Sequence, residues 1–425
     1  VSRAGLCLVL VSWLLFGLTA LAPAEPGTAT KSDHVSWFER VWKAVDETYF
    51  DPVFGGVDWQ QIHDRYQPLV AEAEDDESFY ALVNDMLWEL GVSHAMLVPP
   101  GHLSRVQPTV FAEGEIGLDV RLIGGKTVVT RVSPGSPAAT AGLRLGFVIQ
   151  AIDGTPVGRI AEQQEDRLPP PHNDANRTNC VTTAILRHLY GPEGTRVSVT
   201  YQDELGRSQT AAIGRRARSG RLSPDFPAFM EFTTGRLEHG IGYLRLGSFS
   251  RHEEVCRAIA SMARAPGLVI DLRGNPGGDD PQRIAEWLVT ERTVLFRNRT
   301  RTGSEEVAVE PAEGAYEGPV VVLVDALSTS ASELFAAGLQ AAGRATIVGE
   351  RSPGWCTSRS LIMLPNGAMV VHPNVEHSAP DGAVLEGRGV KPDVQVHLSR
   401  EALLQGRDPQ LEAAVQFLVR RISEG

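Results

Sequence analysis

Residues 318–350 read GPVVVLVDALSTSASELFAAGLQAAGRATIVGE. The run VVVLVD is apolar without alternation, as in a strand covered on both faces. The stretch continues as a helix over 331–342 and a second short apolar strand over 345–348. Upstream, 241–246 and 268–271 add further short buried strands, and 281–289 adds a helix. Residues 239–350 therefore predict an α/β domain with parallel pairing. Downstream, Pro365-Asn366-Gly367 joins two β runs as a hairpin. No repeat of fixed period runs through the chain.

Two loops of this domain follow a strand and open a helix. The first, Asp271-Leu272-Arg273-Gly274-Asn275-Pro276-Gly277-Gly278, has glycines that let the backbone turn sharply and aim amides at a bound group. No GxxxxGK[ST] pattern is present and two aspartates follow, which disfavours a phosphate cradle; a plain strand-to-helix connection is the simpler alternative. The second loop is Ser328-Thr329-Ser330-Ala331-Ser332-Glu333. A serine at such a junction is held exposed beside a helix N-terminus, which stabilises developing negative charge. Helix capping by Ser and Glu accounts for one hydroxyl, and three serines are present.

The chain before this domain has two characters. Residues 32–91 read as helices, with Val35, Phe38, Val41, Trp42, Val45 and Tyr49 at helical spacing behind the N-cap candidates Ser32 and Asp33. A second helix follows Asp58, and a third gathers Phe79, Leu82, Val83, Met86, Leu87 and Leu90 on one apolar face before a stop at Gly91. From 112 the period shortens to the strands IGLDVRLI, TVVTRV and FVIQAIDG, with SPGSPAATAGL between the last two. The Pro/Asn-rich stretch RLPPPHNDANRTN reads as a loop insertion.

Composition sets outer bounds. The chain of 425 residues carries 40 Lys+Arg against 52 Asp+Glu, a net charge of −12, which makes a nucleic-acid partner a poor fit. Cys180, Cys256 and Cys356 form no CxxC pair, and their odd number leaves at least one free thiol or an intermolecular bridge, with room for one internal disulfide. Residues 1–24 combine a basic start, an apolar run and Ala22-Pro23-Ala24, the order of a cleaved secretory signal, with an uncleaved anchor as the alternative.

The strand-rich segment resembles a PDZ domain, with Glu115, Ile116, Gly117 and Leu118 where that family places its carboxylate-binding loop. Together with DLRGNPGG, STSASELFAAGLQAAGRATIVGE and EGRGVKPDV in order, it resembles the S41 peptidases, the C-terminal processing and tricorn-type proteases, over nearly all of 35–398. The resemblance implies an α/β, ClpP/crotonase-like catalytic core with an N-terminal helical segment and an inserted PDZ domain. The expected divisions are 1–24 signal, 25–111 helical, 112–215 PDZ-like and 216–425 catalytic. It implies Ser330 as nucleophile and the amides of Ala331 and of Gly277 or Gly278 as the oxyanion hole.

One departure stands out. Processing members pair the serine with a lysine 25 residues downstream, where this chain has Trp355, and the nearby Arg351 stays protonated and cannot serve as a base. Tricorn-type members use a histidine from a Ser-His pair and a late glutamate, positions matched by Ser93-His94 and Glu386. His94 is therefore the expected base, oriented by Glu386 and Ser93, with His372 and His377 as rivals; an unperturbed imidazole titrates near ~6.5. Glu333 reads as a helix-start charge.

The implied function is an exported serine endopeptidase that cleaves unfolded or C-terminally exposed polypeptides through an acyl-enzyme on Ser330. It calls for no metal or organic cofactor, no nucleic acid, and no membrane beyond the signal segment. The expected location is periplasmic, cell-envelope or extracellular. The alternatives are an inactive relative that binds peptides through its PDZ domain, for which Trp355 is the best support, and an acyl-CoA enzyme of the crotonase type.

Overall fold

The computed structural model describes residues 30–166, 168–221 and 231–424, so the signal segment lies outside the described residues. Its central sheet runs in the order Phe232–Arg236, Gly242–Leu246, Leu268–Asp271, Val320–Val324, Ala345–Gly349 and Val394–Gln395, and every pairing after the first is parallel. The unbroken apolar run explains itself here. Val320, Val322 and Val324 face one hydrophobic core with Phe249 and Phe335, while Val321 and Leu323 face a second beneath Ala414 and Leu418 of the Pro409–Glu424 helix. Each such side chain, fully buried, contributes roughly 1.5–3 kcal/mol.

A second sheet is organised around Met369–Ser378, which pairs with Met96–Val98, Ser358–Met363 and Thr293–Thr300. The Thr293–Thr300 strand in turn forms a hairpin with Gly303–Val309 that the sequence reading passes over. The turn between Ser358–Met363 and Met369–Ser378 inserts Leu364 and Ala368 among the helices Lys31–Thr48, Trp59–Glu72 and Asp76–Trp88, against a cluster containing Phe38, Phe79 and Met86. That packing delivers residues 93–95, between the helices and the first strand of this sheet, to the end of the central sheet. The first helix is capped by Thr30 and not by Ser32 or Asp33; Asp33, three residues in, completes a capping box by accepting the Thr30 N–H.

The inserted module is an antiparallel sheet of Leu118–Ile123, Lys126–Val132, Val148–Ile152, Arg196–Gln202 and Ser208–Gly214, with the short helix Pro137–Thr140 and the longer Val157–Glu165 and Asp174–Leu189. The expected loop insertion is thus loop only as far as Asn173, which caps a 16-residue helix. Val181, Ile185 and Leu189 of that helix pack into the module's core, and the same core takes in Ala326 and Leu327 of the central domain. The module is packed directly on the loop that precedes Ser328. Cys180, Cys256 and Cys356 are all free thiols, and among the described residues no helix is long and apolar enough to cross a membrane.

Candidate active site

The Val320–Val324 strand ends at Asp325, whose carboxylate accepts the N–H groups of Gly274 (2.9 Å) and Leu327 (3.0 Å) and so fixes the two expected loops to each other. Ser328 Oγ donates to Leu272 O (2.8 Å), and Ser332 Oγ donates to Asn275 O (3.1 Å). Two of the three serine hydroxyls are therefore committed to holding the loops. Ser330 lies between them at φ 58°, ψ −121°, at the start of the Ala331–Ala341 helix. A backbone in such a region costs on the order of 1–3 kcal/mol and persists only where its surroundings enforce it. Here the Ser330 N–H is held by Trp355 O (2.8 Å) and Glu333 Oε2 (3.1 Å).

Glu333 does more than the sequence reading expects. It is fully buried and accepts Ser352 Oγ (2.6 Å), Gly354 N–H (2.7 Å), Trp355 N–H (2.8 Å) and the Ser330 N–H. Burial pushes its carboxyl above the usual range, against the pull of these donors. The S-x-x-E spacing announces only a cap; the reach to 352–355 has no signal in the sequence.

The Gly277 site cannot carry a side chain. Its φ is +98°, and a Cβ there would lie 2.8 Å from Ser330 Cβ. Its N–H, however, donates to Asn275 Oδ1 (2.8 Å), so Gly277 is removed from the expected oxyanion donors. The N–H groups of Gly278 and Ala331 have no partner among the described residues, which leaves these two of the expected donors free, Ala331 next to Ser330 in the chain and Gly278 next to Gly277.

On the other side, Ser93, His94 and Glu386 form a connected chain. Ser93 donates both its N–H and its Oγ–H to Glu386, at 2.6 and 3.0 Å, and Ser93 Oγ lies 2.8 Å from His94 Nδ1. With the Ser93 hydroxyl proton on Glu386, Ser93 Oγ accepts from His94 Nδ1–H, and the free lone pair is on Nε2. Cys356 N–H (2.8 Å) also donates to Glu386, and Thr357 Oγ1 donates to Ser93 O (3.1 Å). His94 has φ 56°, so both it and Ser330 are non-glycine residues at positive φ. Burial, reinforced by Arg359 and His377, pushes His94 down to about 3. Burial raises Glu386 to about 7, opposed by the bonds from Ser93 and Cys356.

Trp355 contacts both halves. Its carbonyl holds Ser330, and its ring meets the His94 imidazole edge-on with centroids 6.3 Å apart. No hydrogen bond joins Ser330 Oγ to His94. The rival histidines are engaged elsewhere: His377 bridges Ser358 Oγ and Asn298 Oδ1, both at 2.8 Å, and His372 lies by Thr48 Oγ1. The chain's four lysines, Lys31, Lys43, Lys126 and Lys391, make no hydrogen bond to Ser330.

In the inserted module, Glu115 pairs with Arg216 (3.3 Å), while the carbonyls of Ile116 and Gly117 accept Ala138 and Ser133 N–H. The N–H groups of Ile116 and Gly117 have no partner among the described residues, and Leu118 begins the first strand of the module's main sheet. A cavity of about 500 Å³ opens between the module and the central domain, lined in part by Arg121, Arg131, Arg245, Asp119 and Gly274.

Comparison with known proteins agrees with this organisation. Residues 240–396 match the model of peptidase family S41, 33–88 that of the tricorn protease C1 domain and 128–165 that of the PDZ domain. The chain is 27% identical to the carboxyl-terminal-processing protease of Synechocystis sp., over 95% of this chain and 91% of that one. It is 26% identical to a putative tricorn protease homolog of Streptomyces coelicolor, over 89% of this chain and 32% of that one. Among solved structures it is similar to the photosystem II D1 C-terminal processing protease, with 25% identity, a TM-score of 0.58 and coverage of 91% and 97%.

Proposed function

This chain belongs to the S41 family of serine peptidases, and from that premise we propose that it is an exported endopeptidase whose nucleophile, Ser330, is served by His94, Ser93 and Glu386 in place of a lysine. The observation that carries the reading is the hydrogen-bonded chain from Glu386 through Ser93 to His94 Nδ1, which leaves Nε2 as a proton acceptor.

His94 Nε2 takes the proton of Ser330 as Oγ attacks a peptide carbonyl. The tetrahedral oxyanion is met by the N–H groups of Gly278 and Ala331, where loss of one such donor typically costs ~10²–10³ in rate. The imidazolium then protonates the leaving amine, and water admitted to the same base hydrolyses the acyl-enzyme. The missing Ser330–His94 bond is compatible with this chemistry, because catalytic hydrogen bonds often tighten only when substrate is present. Unfolded polypeptides held by their C-termini at Ile116 and Gly117 are the substrate class that the module's free amides favour, and the signal-like residues 1–24 support export.

The test is labelling by a fluorophosphonate probe, mapped by peptide mass, on the wild-type chain and its Ser330→Ala and His94→Ala variants. Stoichiometric modification of Ser330 that falls sharply without His94 is the expected result. A folded wild-type protein that takes up no probe overturns the proposal in favour of the inactive peptide binder. Peptides with free and with amidated C-termini then test end recognition, and equal cleavage of both removes it.

A further inference from the structure

The Pro/Asn-rich stretch that opens the Asp174–Leu189 helix has no part in the chemistry above. Its asparagines recur at every third position, Asn173, Asn176 and Asn179, so they share one face of the chain. Each side-chain amide ends on backbone carbonyls. Asn173 Nδ2 donates to Pro353 O (2.8 Å) and Gly387 O (3.1 Å), while its Oδ1 caps the helix by accepting the Asn176 N–H (2.8 Å). Asn176, fully buried, donates to Pro169 O (2.8 Å) and to Pro171 O, closing the proline turn. Asn179, also buried, donates to Ala326 O (3.0 Å).

The carbonyls reached outside the module belong to the candidate site. Pro353 lies two residues before Trp355, whose carbonyl holds Ser330; Gly387 follows Glu386; Ala326 lies four residues before Ser330. The 353–355 and 386–388 segments are already in contact, since a Cβ on Gly354 would lie 2.6 Å from Arg388 N, and Asn173 spans both. The backbone around the nucleophile and around the glutamate is thus gripped from one helix of another module. That helix is itself immobilised by Val181, Ile185 and Leu189 in the module's core.

We propose that Asn173 and Asn179 are positioning residues of the peptidase site, with the inserted helix holding the Glu386 turn and the Ser330 loop in register. The proposal rests on the serine-peptidase reading above. It makes the module structurally part of the site, apart from any peptide it binds.

The experiment uses the full chain as wild type, Asn173→Ser and Asn179→Ala. Serine keeps the capping acceptor of Asn173 and loses only the two outward donations. Hydrogen exchange by mass spectrometry is read over 352–357 and 384–388, and the fluorophosphonate reaction is resolved into a maximal inactivation rate and an apparent binding constant. Exchange of these segments is expected to quicken in Asn173→Ser, and the maximal rate to fall about ten- to a hundredfold with the binding constant unchanged. Asn179→Ala should lower the same rate while quickening exchange over 326–330. Wild-type rates in both variants overturn the proposal, as does a lowered rate without quickened exchange or quickened exchange without a lowered rate. A wild-type chain that takes up no probe fails the underlying peptidase reading instead, and the positioning role falls with it.

Discussion

Ser93 gives both its backbone N–H and its hydroxyl to the carboxylate of Glu386, so the residue next to the imidazole is locked in orientation by a single side chain. Glu386→Gln keeps the shape of that side chain and removes its charge. The hydroxyl of Ser93 is then no longer obliged to accept from His94 Nδ1–H, and the wrong tautomer becomes accessible. In triads, neutralising the orienting carboxylate costs up to about 10⁴ in rate, and a loss on the order of 10²–10⁴ is expected here in probe reactivity, with an unchanged circular dichroism spectrum.

The pH dependence should belong to Glu386 and not to His94. Burial raises Glu386 to about 7 and lowers His94 to about 3, so at mildly acidic pH the imidazole is still neutral while the carboxylate takes up a proton. Reactivity of Ser330 is expected to rise with pH through about 7, and Glu386→Gln should flatten that limb. A limb that persists in Glu386→Gln assigns it to another group.

The two groups act on stability in opposite directions. Glu386, raised in the folded state, favours folding fully below its ordinary value near 4.5, and that contribution is lost as pH rises through about 7. His94, lowered in the folded state, contributes above its ordinary value near 6.5 and loses that contribution as pH falls towards about 3. Thermal melts at pH 5 and pH 8 should therefore show Glu386→Gln gaining on wild type at the higher pH, and His94→Phe gaining on it at the lower.

Glu333→Ala should be among the most damaging substitutions in the chain. It strands three donors, the Ser352 hydroxyl and the N–H groups of Gly354 and Trp355, and takes from the Ser330 N–H its second acceptor, leaving only Trp355 O. Each buried group left unsatisfied costs about 1–3 kcal/mol. A shift of the urea midpoint corresponding to several kcal/mol is expected, together with loss of Ser330 labelling.

Arg121 reaches from the inserted module to Asp325 with Nε at 2.7 Å from Oδ2, and both side chains are nearly buried. Arg121→Met leaves Asp325 uncompensated where it also holds Gly274 and Leu327. Removing one partner of such a pair typically costs about 3–5 kcal/mol. Urea denaturation should show that loss, and Asp325→Asn in the same background should recover part of it.

Much of this arrangement was legible because it is local. The strands at 268–271 and 320–324, the hairpin at Pro365-Asn366-Gly367 and the helix after Asp58 all follow from runs of apolar residues and their turn chemistry. The resemblance to tricorn-type enzymes led to Ser93, His94 and Glu386, which the structure brings into one hydrogen-bonded chain. What escaped lacks a clear pattern that composition or periodicity can carry. The Asn275 side chain takes the Gly277 amide, a rearrangement within one loop that no pattern of glycines reveals. The Asp174–Leu189 helix was hidden by the prolines and asparagines at its start, although Val181, Ile185 and Leu189 keep helical spacing. The hairpin Thr293–Thr300 with Gly303–Val309 buries only its base, at Leu295, Phe296 and Val309, and its tip, from Arg297 to Glu306, is polar, so it lacks the apolar alternation that marks a strand.

The insertion of a whole module between His94 and Ser330, with Glu386 later still, also bears on the order of events during synthesis. Contacts so distant in sequence close late, because the loop entropy between them must be overcome first. On the proposed mechanism, a nascent chain that has not yet emitted Glu386 would hold a serine with no oriented base, and would be harmless to the unfolded polypeptides around it, its own tail included. Hydrolytic power would then be the last property the folding chain acquires, and a stalled or truncated copy would be a safe one.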